Sequence, residues 1–268
     1  MMKRILIVGI DFALLIYFKI FFGALRILPF DISIKIAFAF VLVITTILQR
    51  LKKAAYQNIS IVFPEYSEKQ KKILYRDSLR ILAGNAVTFA KSQTYSVEYA
   101  ISLFENIDFF DFVKSLRNKN PEKGILFVTM HYGYFEEIVY ICSLLGFPSS
   151  ALARGFDLPM LDAWWNKKRG RYGNQIFNRK GGFKEIINRI NNRENVALLI
   201  DQNVKINHAV FVDLFSIKAA TTKTPALVAA RLDCPIVFLT CAAISKNKRK
   251  LYYKEISFDR NDDISLEI

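Results

Sequence analysis

The chain has 268 residues, 52% of them hydrophobic and 23% charged, enough to bury a core as one large domain or two small ones. That apolar content excludes an intrinsically disordered chain, and charge spread along most of the sequence excludes a polytopic transporter. Lys and Arg number 38 against 24 Asp and Glu, a formal net charge of +14 that points to an anionic partner: nucleic acid, anionic lipid or an acidic protein.

In chain order, residues 5–28 form a nearly apolar run broken by Asp11, Lys19 and Arg26, and Pro29 ends it. About 20 apolar residues suffice to cross a bilayer, so the run predicts a membrane-associated helix. No small-residue cleavage site follows it, so a removable signal peptide is not expected. A second run, residues 32–48, is interrupted by Lys35 alone and leads into Gln49-Arg50-Leu51-Lys52-Lys53; basic residues after an apolar run mark the cytoplasmic side. The other reading of both runs is a pair of buried core helices. Residues 58–64 (NISIVFP) read as an extended segment ending at proline. Ser67 then starts a helix over residues 68–90, and helical patterning continues to about residue 114. The turn at residues 118–123 opens a second half in which apolar runs of strand length alternate with helical segments. The runs are residues 124–130, 147–153, 196–200 and 235–240; the helices are residues 134–145, 157–168 and 183–191. This rhythm predicts an α/β fold around a largely parallel sheet. Cys142, Cys234 and Cys241 are too few and too scattered for a disulfide framework or a zinc knuckle, and fit a reducing compartment.

The chain's two histidines are His131 and His208. His131 follows the 124–130 strand at its carboxyl end, where α/β proteins build sites, and Glu136 comes five residues later. On a continuous helix that separation would set them about 140° apart; a turn at Gly133 would let the carboxylate face the imidazole. Such a carboxylate would fix the tautomer of a general base. Neither Cys142 nor Ser143 sits at a strained elbow, so the nucleophile would be a substrate hydroxyl. The alternative is a half-buried structural histidine with a surface glutamate nearby. His208 reads as a surface histidine.

Arg154, Lys167, Lys168, Arg169, Arg171, Arg179 and Lys180 then share a window with Trp164, Trp165, Tyr172 and Phe177. These bases and rings suit nucleic-acid phosphates and base stacking, or lipid phosphates and a membrane interface. The apolar N-terminus favours lipid. Asp201 and Gln202 end the 196–200 strand, either as a contact to a substrate hydroxyl or as a turn.

Taken together, these blocks resemble the late acyltransferases of lipid A biosynthesis, the lauroyl/myristoyl transferase family with its His-x4-Asp/Glu motif. Residues 50–65 (RLKKAAYQNISIVFPE) are similar to the segment before the signature, and His131 and Glu136 fall on its histidine and acid. Residues 157–180 resemble the basic second block, with Arg169 and Arg171 on an Arg-x-Arg and Arg179-Lys180 on a further pair. Asp201-Gln202 matches an Asp-Gln at a strand end, and residues 211–222 match the block before an Ala-rich helix. The resemblance implies a mixed, largely parallel sheet flanked by helices, like that of glycerol-phosphate acyltransferases. Residues 1–50 would be the hydrophobic membrane anchor and residues 51–268 the catalytic domain, at the cytoplasmic face of a bacterial inner membrane.

The activity implied is transfer of an acyl chain from acyl carrier protein to a hydroxyl of a phosphorylated glycolipid, the lipid A precursor. His131 would be the base and Glu136 its partner, with Arg169, Arg171, Arg154, Asp201 and Gln202 as substrate contacts. No metal, cofactor or nucleic acid is expected. Relatives generally run on to a basic, aromatic tail where this chain has an acidic stretch at residues 259–263, so either the sequence is truncated or its acceptor contacts differ there. Rival readings are the same chemistry on another glycolipid or phospholipid, and a non-catalytic peripheral membrane protein.

Overall fold

The computed structural model describes residues 2–178, 181–245 and 247–257. The basic pair Arg179-Lys180 and the acidic stretch at residues 259–263 lie outside the described residues.

Helices α1 (Met2–Ile27) and α2 (Phe30–Ile47) are the two apolar runs, broken where Pro29, which cannot donate to a continuing helix, takes the N-cap position of α2. The corner is closed by Ser33, whose buried hydroxyl donates to the Leu25 and Leu28 carbonyls at 3.0 and 3.2 Å. Residues 7–27 of α1 and all of α2 are long and apolar enough to cross a membrane, and only a small part of each is buried against the body.

Helix α3 (Gln49–Val62) replaces the extended segment expected at residues 58–64. Its Ala55, Tyr56 and Ile59 follow helical spacing and pack against Val41, Tyr75 and Leu79, so tertiary burial overrides the β-branched residues around Ile59. Helix α4 (Glu68–Ser92) starts at Ser67 as expected. Ser67 and Gln70 form a reciprocal capping box, of the kind that contributes roughly 1 kcal/mol. Helices α5 (Val97–Ser102) and α6 (Asp108–Lys119) complete the first half.

Strands β1 (Leu126–Thr129), β2 (Ser149–Ala153), β3 (Gln175–Asn178), β4 (Asn195–Leu199), β7 (Ile236–Ser245) and β8 (Lys248–Glu255) form one sheet in the order β3-β2-β4-β1-β7-β8. Every neighbouring pair is parallel except the β7–β8 hairpin at the edge. The expected mixed, largely parallel sheet flanked by helices is therefore the fold. Helices α7 (Phe135–Leu144), α8 (Pro159–Arg169), α9 (Gly182–Asn191) and α10 (Thr224–Arg231) make the crossovers, and β5 (Ala209–Leu214) pairs with β6 (Ile217–Thr222) as a separate hairpin.

Both faces of β1 are covered, which is why its sequence is a continuous apolar run. Phe127 points into a core with Phe109, Ile138 and Ile141. Leu126 and Val128 point the other way, onto Ile186, Ile190 and Val228. A third core joins α1 to α4, α7 and α8 through Phe22, Leu25, Phe89 and Tyr140.

Candidate active site

The register of the sheet assembles the site. β1 pairs with β4 in parallel, Thr129 opposite Leu199. Each strand runs out at the same edge, so the second residue past each end, His131 and Asp201, meet. The His131 Nδ1 lies 2.9 Å from one Asp201 carboxylate oxygen, and the His131 backbone N–H donates to the other at 3.0 Å. Both side chains are about one-third exposed, at 35% and 32%, so the imidazole is anchored yet open to solvent.

The pairing expected for His131 was with Glu136; the structure gives the imidazole a different carboxylate. Gly133 makes the turn, with φ +57°, and α7 begins at Phe135, whose ring packs edge-on against the imidazole at 4.8 Å. Glu136, one residue into the helix, is carried towards α8 instead. There the Arg169 Nε donates to Glu136 Oε2 at 3.2 Å and the Arg169 Nη2 to Oε1. This two-pronged pair is mostly buried, and the Arg169 guanidinium also lies over the Trp165 ring.

Of the other expected contacts, Arg171 is exposed beyond the end of α8 with its guanidinium over the Tyr172 ring, and Arg154 pairs with Asp157 at 3.1 Å on the surface. Gln202 is exposed in the turn after β4. Arg169 and Arg171 thus do different things, because Gly170 caps α8 between them and turns the chain. Trp164 and Trp165 are not laid out as a stacking surface; they pack against Phe18, Phe22 and Phe89 between α1 and α4. His208 is exposed, as expected.

Two supports had no clear signal in the sequence. Asn85 of α4, buried, donates to the Gly133 carbonyl at 2.7 Å and accepts from the Glu136 N–H at 3.5 Å, pinning the turn. Glu137, fully buried, takes the Arg249 Nε at 2.6 Å and the Tyr95 hydroxyl at 3.0 Å. Burial, then the Glu137 carboxylate, push the Tyr95 hydroxyl well above its ordinary pKa, so it stays a donor. Only the adjacency Glu136-Glu137 hinted at this second acid: two carboxylates in the first turn of a helix suit its dipole, and they serve separate arginines.

His131 opens on a cleft of about 490 Å³ lined by Ile81, Leu82, Asn85, Tyr132, Phe135 and Ala242. It combines one imidazole anchored at Nδ1 with largely apolar walls. Chemically, an imidazole held at Nδ1 can accept a proton at Nε2 from a group lying in that cleft.

A family described as bacterial lipid A biosynthesis acyltransferase matches residues 4–264 of the chain. A lipid A biosynthesis acyltransferase of Haemophilus influenzae is 22% identical over 173 residues, 65% of this chain and 54% of that protein. A lipid A biosynthesis myristoyltransferase of Escherichia coli is 23% identical over 172 residues, 63% of this chain and 52% of that protein. Lipid A biosynthesis acyltransferase 1 of Shigella flexneri is 23% identical over 176 residues, with the same coverage of 63% and 52%. The chain spans about half the length of the curated relatives it matches.

Proposed function

The chain belongs to the bacterial lipid A biosynthesis acyltransferase family, and on that premise we propose that it transfers a fatty acyl chain from acyl carrier protein to a hydroxyl of a lipid A precursor. The observation that carries the reading is His131 at the end of β1, held through Nδ1 by Asp201 and facing an apolar cleft.

In this mechanism the ionised Asp201 accepts a hydrogen bond from the protonated Nδ1, which fixes the tautomer and leaves Nε2 as the base. Nε2 takes the proton of the acceptor hydroxyl as its oxygen attacks the thioester carbonyl. The tetrahedral intermediate collapses, the carbon–sulfur bond breaks, and the imidazolium returns the proton to the departing thiolate. The products are an ester and a free carrier thiol. A positioned base contributes roughly 10²–10⁴-fold, and Asp201 offsets the charge that develops on the ring. Glu136 acts through Arg169: it fixes the guanidinium as a cation close to the site, for the oxyanion or the substrate phosphate.

The exposed apolar faces of α1 and α2 hold the protein on the cytoplasmic face of the inner membrane, where a lipid acceptor and an acidic carrier protein meet a surface of charge +14. The division into an anchor at residues 1–50 and a catalytic domain over residues 51–268 belongs to the same proposal.

The test uses membranes containing the protein, acyl carrier protein loaded with labelled chains of several lengths, and a tetra-acylated lipid A precursor. Expected is a gain of one acyl group by mass with the wild type and none with His131→Ala. Wild-type turnover by His131→Ala would overturn the assignment of the base, and no gain with any chain from folded protein would overturn the acceptor.

A further inference from the structure

A second cavity, of about 210 Å³, lies between α1, α4 and α8, two to three turns along α4 from the cleft on which His131 opens. Three helices line it at helical spacing. Helix α1 contributes Lys19, Phe22, Gly23 and Arg26; α4 contributes Phe89, Ala90 and Gln93; α8 contributes Trp164 and Lys168. No carboxylate is among the lining residues. Among the described residues, Lys19, Arg26 and Lys168 make no ion pair. Three cations converging on one cavity without a counter-charge repel each other, and the partial burial of Lys168 makes that worse. The Lys168 ammonium records this: burial lowers its pKa first, then the charges of Arg26, Arg171 and Lys167.

A second observation points the same way. Gln93 is 3% exposed, and its Oε1 has no hydrogen-bond partner. Buried amide oxygens are rarely left unpaired, and this one belongs to a side chain lining the cationic cavity. The outer face of α1 supplies the class of molecule. Ile16, Ile20 and Ile27 of α1 are exposed, at 40%, 68% and 79%, on a helix apolar enough to enter a bilayer. An anion seated here would therefore carry its apolar part along α1, at the height of the membrane interface.

We propose that Lys19, Arg26, Lys168 and Gln93 form a binding site for a phosphate monoester carried on a lipid, separate from the His131 cleft. The three cations match a monoester, which carries about −1.5 to −2 charges at neutral pH, better than a singly charged phosphodiester. The Gln93 carboxamide, turned so that its N–H groups face the cavity where Oε1 finds no partner, donates to the phosphate. The Phe22, Phe89 and Trp164 rings give the cavity apolar walls beside the cations.

The chain's two tryptophans, Trp164 and Trp165, are both on α8 and one lines the cavity, so intrinsic fluorescence reports occupancy directly. The full chain in mixed micelles of neutral detergent is titrated with a 1,4′-bisphosphorylated glucosamine disaccharide lipid, its dephosphorylated counterpart, phosphatidic acid, phosphatidylglycerol and inorganic phosphate. A monoester-bearing lipid is expected to bind at least tenfold more tightly than phosphatidylglycerol or the dephosphorylated lipid. The double variant Arg26→Gln/Lys168→Gln should weaken it at least tenfold, whereas Lys114→Gln, on the exposed face of α6, should not. Lys19→Gln alone, with an unchanged melting curve, covers the case in which the double variant does not fold, and should weaken binding severalfold.

Preference for the disaccharide assigns the site to an acceptor phosphate; equal binding of phosphatidic acid assigns it to phosphate of the bilayer. Equal affinity for monoester and diester lipids, inorganic phosphate binding as tightly as the lipids, or indifference to the cation variants would overturn the proposal. The readout is binding without turnover, so it is independent of the acyl-transfer reading.

Discussion

At the scale of single residues, the central contact is Asp201 against His131. Asp201→Asn keeps the volume and one hydrogen bond but removes the charge that stabilises an imidazolium and fixes its tautomer. Expected is a fall in kcat of at least about 10²-fold with KM nearly unchanged. The melting temperature should move little, because this carboxylate is one-third exposed; equal losses in kcat and stability would mean a structural role instead. Gly133 is the second decisive residue. Its φ is +57°, and a Cβ there would be driven into the Cys241 carbonyl of β7, a backbone atom that cannot move aside cheaply. Gly133→Ala should therefore displace the turn carrying His131, lowering activity by more than tenfold and the melting temperature by several degrees. A fully active Gly133→Ala protein would show that the turn tolerates both changes.

At the scale of elements, α7 is bolted to its surroundings by two arginines from two different elements. Arg169 reaches Glu136 from α8, and Arg249 reaches Glu137 from β8. The inner pair is the more demanding, since both side chains are 1% exposed and Arg249 also sits over the Tyr134 ring. Removing one partner of such a pair strands the other as a buried charge and costs about 3–5 kcal/mol. Glu137→Ala and Arg249→Ala should each destabilise by that order in denaturant unfolding. Cys241 offers a local readout: burial, then the Glu137 carboxylate, push its thiol up to about 12. It should resist alkylation at pH 8 in the wild type and become reactive in either variant as this region opens. A thiol equally protected in all three would argue that the pair is not a keystone of α7.

At the scale of the whole molecule, the question is how α1 meets the bilayer. Asp11 is 2% exposed and accepts the backbone N–H groups of Met160 and Leu161 at 2.8 and 3.0 Å, capping the start of α8. At the other end, the Lys91 ammonium donates to the Arg26 and Leu28 carbonyls at 3.2 and 2.6 Å. A helix tied to the globular body near both ends, with Phe22 and Leu25 in the core between, lies along that body. Crossing the hydrocarbon would take α8 and α4 in with it. The expected arrangement buries the exposed apolar face of α1 in one leaflet, with both ends on one side. Pro29→Cys, at the exposed corner between α1 and α2, should be labelled by a membrane-impermeant maleimide from the side that holds the globular body. Labelling from the opposite side only would establish a span.

Much of this was legible in the sequence, and particular residues show why. Two apolar runs with a proline between them, the Ser67 cap and the buried strand runs are local signals: each is set by hydrophobic pattern, cap chemistry or chain stiffness within a few residues. They were enough to specify two apolar helices, a parallel α/β sheet and a histidine at a strand end. Residues 58–64 misled because β-branched residues suggest extension, while Tyr56 and Ile59 gain more by packing onto Tyr75 and Leu79 as a helix. Which carboxylate faces His131 is not a local property. Glu136 is five residues away and Asp201 is seventy, yet the parallel pairing of β1 with β4 places the distant one at 2.9 Å and the first turn of α7 sends the near one to Arg169. The same holds for Lys19, Arg26, Lys168 and Gln93, which converge only because three helices pack together. The sequence by itself determined the elements, because hydrogen-bond period and burial are written residue by residue. Only the tertiary structure decided the partners, because register and helix packing bring together charges that the chain keeps far apart.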